Sequence, residues 1–300
     1  MARVITYTIN AENAGIKIFT FLKYRQGFST KLIRTLKNTP GGIMLGESEV
    51  RTIDILKEGD RLTVTIPETQ SGIEPCGVLP EIIYEDEDIL VLNKPPQLAM
   101  HPTHNHQGDT LANAVTAYLE SKGRSTVFRA VGRLDKGTAG IVVCALTPLS
   151  ACKLSGKINK TYFAVVKGNP GDEGTVDVPI YRPDPMKTLR ACSYEKGTEP
   201  ALTHWKTLET DGEKSLVMLN LETGRTHQIR VHMSHIGHPL AGDNMYGDFM
   251  PEFGHQLLFC CRCALNHPVT GEKMVFTASP PPEFEKAGFG KLTLDNIGNM

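Results

Sequence analysis

The sequence predicts an α+β protein, and three observations carry that reading. Short apolar runs rich in β-branched residues recur along the chain, amphipathic helical stretches lie between some of them, and neighbouring runs are often joined by turns short enough for hairpins. Three hundred residues with 40% hydrophobic content suffice for one large domain or two domains with their own cores. The net charge of −1 excludes a uniform polycation.

Residues 1–66 read as a small separate module. Ile16, Phe19 and Leu22 fall at helical spacing, leaving Lys17 and Lys23 outward. Ser29 is placed to cap a second helix that holds Leu32, Ile33 and Leu36. A short strand follows over 42–46, then a turn and an alternating strand over 56–65. Residues 1–46 carry seven cations, Arg3, Lys17, Lys23, Arg25, Lys31, Arg34 and Lys37, against Glu12 alone. Such a cluster suits a polyanion, since each neutralised phosphate releases counterions. A solvated helix face is the alternative reading.

Residues 67–80, rich in Pro, Gly and polar side chains, read as a linker, and residues 81–300 as the main domain. Two apolar runs at 82–84 and 89–92 flank an acidic turn and predict a hairpin. Helices are expected over about 110–122 and 148–158, and strands at 141–146, 162–166 and 216–221. Thr226 can cap a short helix running to 236 and ending at Gly237. Ile229, Met233 and Ile236 share one face of it, and Arg230 lies off that stripe.

The most telling stretch is Val131-Gly132-Arg133-Leu134-Asp135-Lys136-Gly137-Thr138-Ala139-Gly140, which leads straight into an apolar strand. An ordinary turn there would need only its glycines. A carboxylate between two cations, beside the Thr138 hydroxyl and two glycines, reads as a reactive group presented at a strand edge.

Three further blocks accompany it: Leu92-Asn93-Lys94-Pro95-Pro96 upstream, Lys160-Thr161-Tyr162-Phe163-Ala164-Val165-Val166-Lys167-Gly168, and Gly224-Arg225-Thr226-His227-Gln228-Ile229-Arg230-Val231-His232 with Gly242-Asp243 and Tyr246-Gly247 beyond. In this order they resemble the RluA-type pseudouridine synthases over about residues 80–278. Two departures stand in the first motif, where Gly132 replaces the usual His and Ala139 the usual Ser. Near the C-terminus, Leu258-Phe259-Cys260 stands where the family has Leu-His-Ala.

The resemblance implies a curved, largely antiparallel sheet with a central cleft, and conversion of uridine to pseudouridine in structured RNA. Large-subunit ribosomal RNA is expected ahead of transfer RNA. It implies catalytic roles for Asp135, Tyr162 and Arg230, with Arg230 salt-bridged to Asp135, and substrate contacts from Arg133, Arg225, Thr138 and Gln228. Arg133 would enter the space left by the flipped base, and Tyr162 would offer a flat face and a hydroxyl able to shuttle a proton. The N-terminal module resembles a small RNA-binding module of a ribosomal protein, with Thr30 where that module has Arg. A catalytically silent RNA-binding or ribosome-assembly protein of the same fold is the alternative, and Gly132 and Ala139 are its support.

The reaction conserves oxidation state and adds no group, so no cofactor is expected. A carboxylate desolvated beneath a base is disfavoured as an anion, and a neighbouring guanidinium stabilises it. No metal is expected either. His101, His104 and His106 cluster, as do His232, His235 and His238, and Cys260, Cys261 and Cys263 lie near His255 and His267. Only Cys260 and Cys263 form a Cys-x-x-Cys pair, with no second pair to complete a tetrahedral site. A metal-dependent hydrolase would predict stoichiometric zinc on these clusters. The seven cysteines are odd in number and scattered, and residues 1–15 hold no basic start followed by an apolar core. No apolar run approaches the ~20 residues of a membrane span, so a reduced, cytoplasmic location is expected.

Overall fold

A computed structural model describes residues 2–69, 71–103, 106–124, 127–247 and 250–289. The N-terminal residues form a four-stranded sheet in the order β1-β4-β2-β3, with β1 Arg3–Thr8, β2 Ile43–Leu45, β3 Ser48–Glu49 and β4 Arg61–Ile66. Two helical segments cover it. The first is a short α-turn, Ile18–Thr20, that widens into a π-helical turn, Phe21–Arg25. The second, Thr30–Lys37, starts where expected: the Leu32 backbone N–H donates to Ser29 Oγ at 3.1 Å. Leu22, Leu32, Ile33 and Leu36 meet Ile5, Leu62 and Val64 in a core that also takes in Leu149 from much later in the chain.

Arg3 fixes the same junction. Its Nε and Nη2 donate to the two carboxylate oxygens of Asp88 at 3.2 and 2.8 Å, and Asp88 is buried.

The larger sheet has nine strands in the order β5-β6-β7-β14-β8-β13-β12-β9, with β15 beside β14. Its members are β5 Glu81–Glu85, β6 Ile89–Lys94, β7 Ala139–Ala145, β8 Asn159–Lys167, β9 Glu173–Asp177, β12 Leu202–Thr210, β13 Lys214–Leu221, β14 Leu258–Asn266 and β15 Lys273–Thr277. Every pairing is antiparallel except β7 with β14. A small hairpin, β10 Ile180–Tyr181 with β11 Ala191–Cys192, falls between β9 and β12 in chain order and packs against Val231 and Tyr246. Gly140 permits the parallel crossing. Its φ is +109°, and a Cβ there would strike the Cys260 backbone.

Helix Leu111–Ser121 packs on this sheet behind a capping box between Thr110 and Asn113. Thr147 caps Pro148–Leu154, which ends earlier than the periodicity suggests because Gly156 takes φ +68° just beyond it. Helix Gln228–His235 also begins differently. Its N-cap is His227 in the left-handed region at φ +59°, not Thr226, whose hydroxyl accepts a hydrogen bond from Arg133 Nη2 at 3.1 Å.

Candidate active site

The loop between Val131 and Thr138 is tied at both ends. Val131 N–H donates to the Val143 carbonyl at 2.7 Å, and Thr138 N–H donates to the Asp135 carbonyl at 3.0 Å. Beneath it lies Lys94, a fully buried lysine at the end of β6. Its ammonium donates to the carbonyls of Pro95, Leu98 and Lys136 at 3.0, 2.9 and 3.1 Å. Three carbonyls match the three N–H bonds of an ammonium. Burial pushes the Lys94 pKa down to about 7, against the pull of the Asp135 charge. Gln256 holds the loop's other side, donating from Nε2 to Thr138 Oγ1 at 3.1 Å.

Asp135 is about a quarter exposed, at 26%, and opens into a cleft of about 290 Å³. Arg230 reaches it from one turn into helix Gln228–His235, with Nη1 3.2 Å from Asp135 Oδ2. The other side of the guanidinium is clamped: Nε and Nη2 donate to Asp243 at 2.7 and 2.8 Å. Asp243 is fully buried and also accepts the backbone N–H groups of Met245 and Tyr246. The Tyr246 ring stacks on the guanidinium at 5.1 Å. Burial opposes the Arg230 charge most, yet the bonds and charges of Asp243 and Asp135 raise its pKa overall. One arginine therefore carries a buried carboxylate on one edge and presents a single N–H pair to Asp135.

Tyr162, on β8, lines the same cleft and is buried among core residues. Burial pushes its phenol well above the usual range, with the Cys260 and Cys263 thiols and the Asp135 charge adding to the effect. A phenol in that setting keeps its proton. Arg133 and Arg225 stand at the rim: Arg133 is exposed and bonded to Thr226, and Arg225 Nε donates to the Pro200 carbonyl at 3.0 Å. Thr138 and Gln228 are buried. Gln228 Oε1 accepts from Thr223 Oγ1 and Arg225 N–H, each at 2.9 Å, while Nε2 donates to Leu202 O and Thr203 Oγ1, each at 3.0 Å. All of its hydrogen-bonding groups thus tie the cleft's own walls together.

The structure brings Asp135, Tyr162 and Arg230 around one cavity and puts Arg133 and Arg225 at its mouth. Lys94, His227, Asp243, Tyr246 and Gln256 also surround these groups, and nothing in the sequence marks them out. The first four lie inside the motif segments, where spacing is visible in the sequence and partners are not.

Among the described residues, the histidine and cysteine clusters do not converge on a shared ligand position. His232 bonds Thr203 Oγ1 at 2.9 Å and the Val178 carbonyl at 3.0 Å, and His104 lies outside the described residues. Burial raises the thiols of Cys144 and Cys263 to about 12. Among the described residues, the only grouping with three convergent ligand atoms is Asp86, Asp88 and His267. Those atoms already serve Tyr84, Arg3 and two backbone N–H groups. Also among the described residues, no helix is long and apolar enough to cross a membrane.

Comparison with known proteins points one way. Residues 88–235 match the RNA pseudouridylate synthase family. The Bacillus subtilis (strain 168) protein named Uncharacterized RNA pseudouridine synthase YjbO is 37% identical over 270 residues, covering 87% of this chain and 94% of its own. Ribosomal large subunit pseudouridine synthase D of Haemophilus influenzae (strain ATCC 51907 / DSM 11121 / KW20 / Rd) is 37% identical over 246 residues, covering 75% of each. Among solved structures, human RNA Pseudouridylate Synthase Domain Containing 1 superimposes with a TM-score of 0.58 at 25% identity, over 76% of this chain and 96% of that one.

Proposed function

This chain belongs to the RNA pseudouridylate synthase family, an isomerase family acting on RNA, and from that premise we propose that it isomerises specific uridines of large-subunit ribosomal RNA through Asp135, Tyr162 and Arg230. The ribosomal target is supported by the relative from Haemophilus influenzae, named for that subunit. The observation that carries the residue assignment is the Asp135–Arg230 pair, 3.2 Å apart and facing a cleft walled by Tyr162.

Isomerisation breaks the bond from ribose C1′ to uracil N1, turns the ring, and joins C1′ to C5; the C5 hydrogen leaves as a proton and N1 gains one. Asp135 is the group placed to act on the nucleoside as nucleophile or base. Arg230 keeps it anionic while substrate displaces water, because a guanidinium stays protonated at any working pH. A uridine in structured RNA must leave its stack to reach a carboxylate at this depth. Tyr162 then offers its ring face, and base–aromatic stacking is worth about 1–3 kcal/mol. Its firmly held proton suits a platform better than a proton-accepting base. Arg133, exposed at the rim, can stack in the gap the base leaves while contacting phosphate. Arg225 stands beside it for the backbone.

Residues 1–66 serve this reading as a docking module, with Arg25, Lys31, Arg34 and Lys37 exposed on its helices. Such a protein works where ribosomal RNA is made, in the cytoplasm. Mapping pseudouridines in total RNA from cells with and without the protein tests the proposal. A site in large-subunit ribosomal RNA that disappears with the protein is the expected result; unchanged maps, with RNA still bound, would favour the silent alternative.

A further inference from the structure

His227 contacts the cleft in a way that the pairing of Asp135 with Arg230 does not use. It is one of two non-glycine residues with positive φ among those described, at +59°. It caps the helix from that conformation, and its side chain lines the cleft. The ring is only 11% exposed, and its Nε2 stands 4.0 Å from Asp135 Oδ2.

The other nitrogen is fixed. His227 Nδ1 lies 2.8 Å from the Tyr246 hydroxyl, which itself accepts the Arg190 backbone N–H at 2.8 Å. Tyr246 keeps its proton, since burial pushes its pKa up to about 12. With its oxygen accepting from Arg190, its single hydrogen is free to go to Nδ1. A neutral imidazole accepting at Nδ1 carries its hydrogen on Nε2. Burial lowers the His227 pKa, so the ring is neutral near pH 7. The charged groups facing it act in both directions: Asp135 from the loop and Asp243 from the following turn raise it, while Arg230 on its own helix and Arg190 on the β10–β11 arm lower it.

We propose that His227 is a further catalytic residue, whose Nε2–H donates a hydrogen bond to a carbonyl oxygen of the flipped uracil. The inference rests on the functional reading above. A gap of 4.0 Å between Nε2 and the carboxylate is too long for a direct hydrogen bond and leaves Nε2–H available to the substrate. When the C1′–N1 bond breaks, its electron pair leaves with the ring and spreads onto the carbonyl oxygens. A preorganised N–H donor in a partly dry cleft stabilises that charge. A neutral imidazole suits the position better than an imidazolium, which would pair with Asp135 and blunt its charge.

The test uses RNA tritiated at uracil C5, extracted from cells lacking the protein, with enzyme in excess. C5 gives up its hydrogen when it joins the sugar, so tritium release reports single-turnover isomerisation. His227→Gly removes the ring and tolerates the left-handed backbone; it should slow release about 100-fold while RNA affinity holds. His227→Gln keeps an N–H donor and should recover part of that loss. It should also lose the acidic limb that the wild type shows as its imidazole protonates. Tyr246→Phe, which releases Nδ1, should fall between the two. An unchanged rate in His227→Gly, or a pH profile of His227→Gln superimposing on the wild type, would overturn the inference alone. No release by the wild type would sink the functional reading and this inference with it.

Discussion

Arg230 and Asp243 form a closed, bidentate pair at 2.7 and 2.8 Å inside the protein, so the guanidinium reaches Asp135 already aimed. Its remaining freedom is small: two of its three nitrogens are taken, and the Tyr246 ring covers its face. Orientation of this kind is worth most where charge must be held in place during a reaction.

Removing Asp243 should therefore cost both stability and rate. Asp243→Asn keeps the shape but leaves Arg230 half-neutralised in a buried setting, and breaking such a pair typically costs about 3–5 kcal/mol. Urea unfolding should show that loss, and isomerisation should fall in enzyme that is still folded. A variant as stable as the wild type would mean the clamp contributes little.

Asp135→Asn isolates the chemistry. Its side chain is partly exposed and its loop is held by backbone bonds and Lys94, so folding should survive. Isomerisation should drop by several orders of magnitude with RNA binding nearly intact. Substantial residual turnover would remove Asp135 from its role.

Lys94 gives a pH signature. Its pKa falls from an ordinary 10.5 to about 7 in the folded protein, so between those values the unfolded chain binds more protons than the native one. Stability contributed at this site therefore rises with pH across that window, by up to about 1.4 kcal/mol per unit. Lys94→Met lacks the titration. The difference in unfolding free energy between wild type and variant should shift in the wild type's favour from pH 7 to 9, and a flat difference would show that the ammonium stays charged throughout.

The basic N-terminal helices carry a separate prediction. Replacing Lys23, Arg25 and Lys31 together should weaken RNA binding and reduce the slope of log affinity against log salt by up to about 2–3, since each phosphate contact contributes roughly 0.7–0.9. Catalysis at saturating RNA should hold. If neither affinity nor slope moves, that face is not a docking surface.

Much of the large sheet was readable because its strands have a plain local cause. The run Ile141-Val142-Val143 announces β7 there, and in the N-terminal sheet the alternation within 56–65 announces β4 and Ser29 the helix it caps. β10 and β11 did not, since two residues each carry no periodicity. β14 was missed because it is buried on both faces, with Cys260, Cys261 and Cys263 offering neither alternation nor β-branching. At the site, Asp135 and Arg230 are 95 positions apart, and only their motifs suggested they would meet. Asp243 behind Arg230, and the left-handed turn at His227, depend on tertiary packing that no spacing rule encodes.

Leu149 belongs to the helix after β7 yet fills the N-terminal core, and Arg3 is locked onto Asp88 beside it. A flexible tether would let the two parts search independently. Sharing a side chain across the join makes them one ruler instead, with the cationic helices and the Asp135 carboxylate at a set span. Any RNA gripped at one end would have its reactive nucleotide chosen by distance and shape as much as by the letters around it.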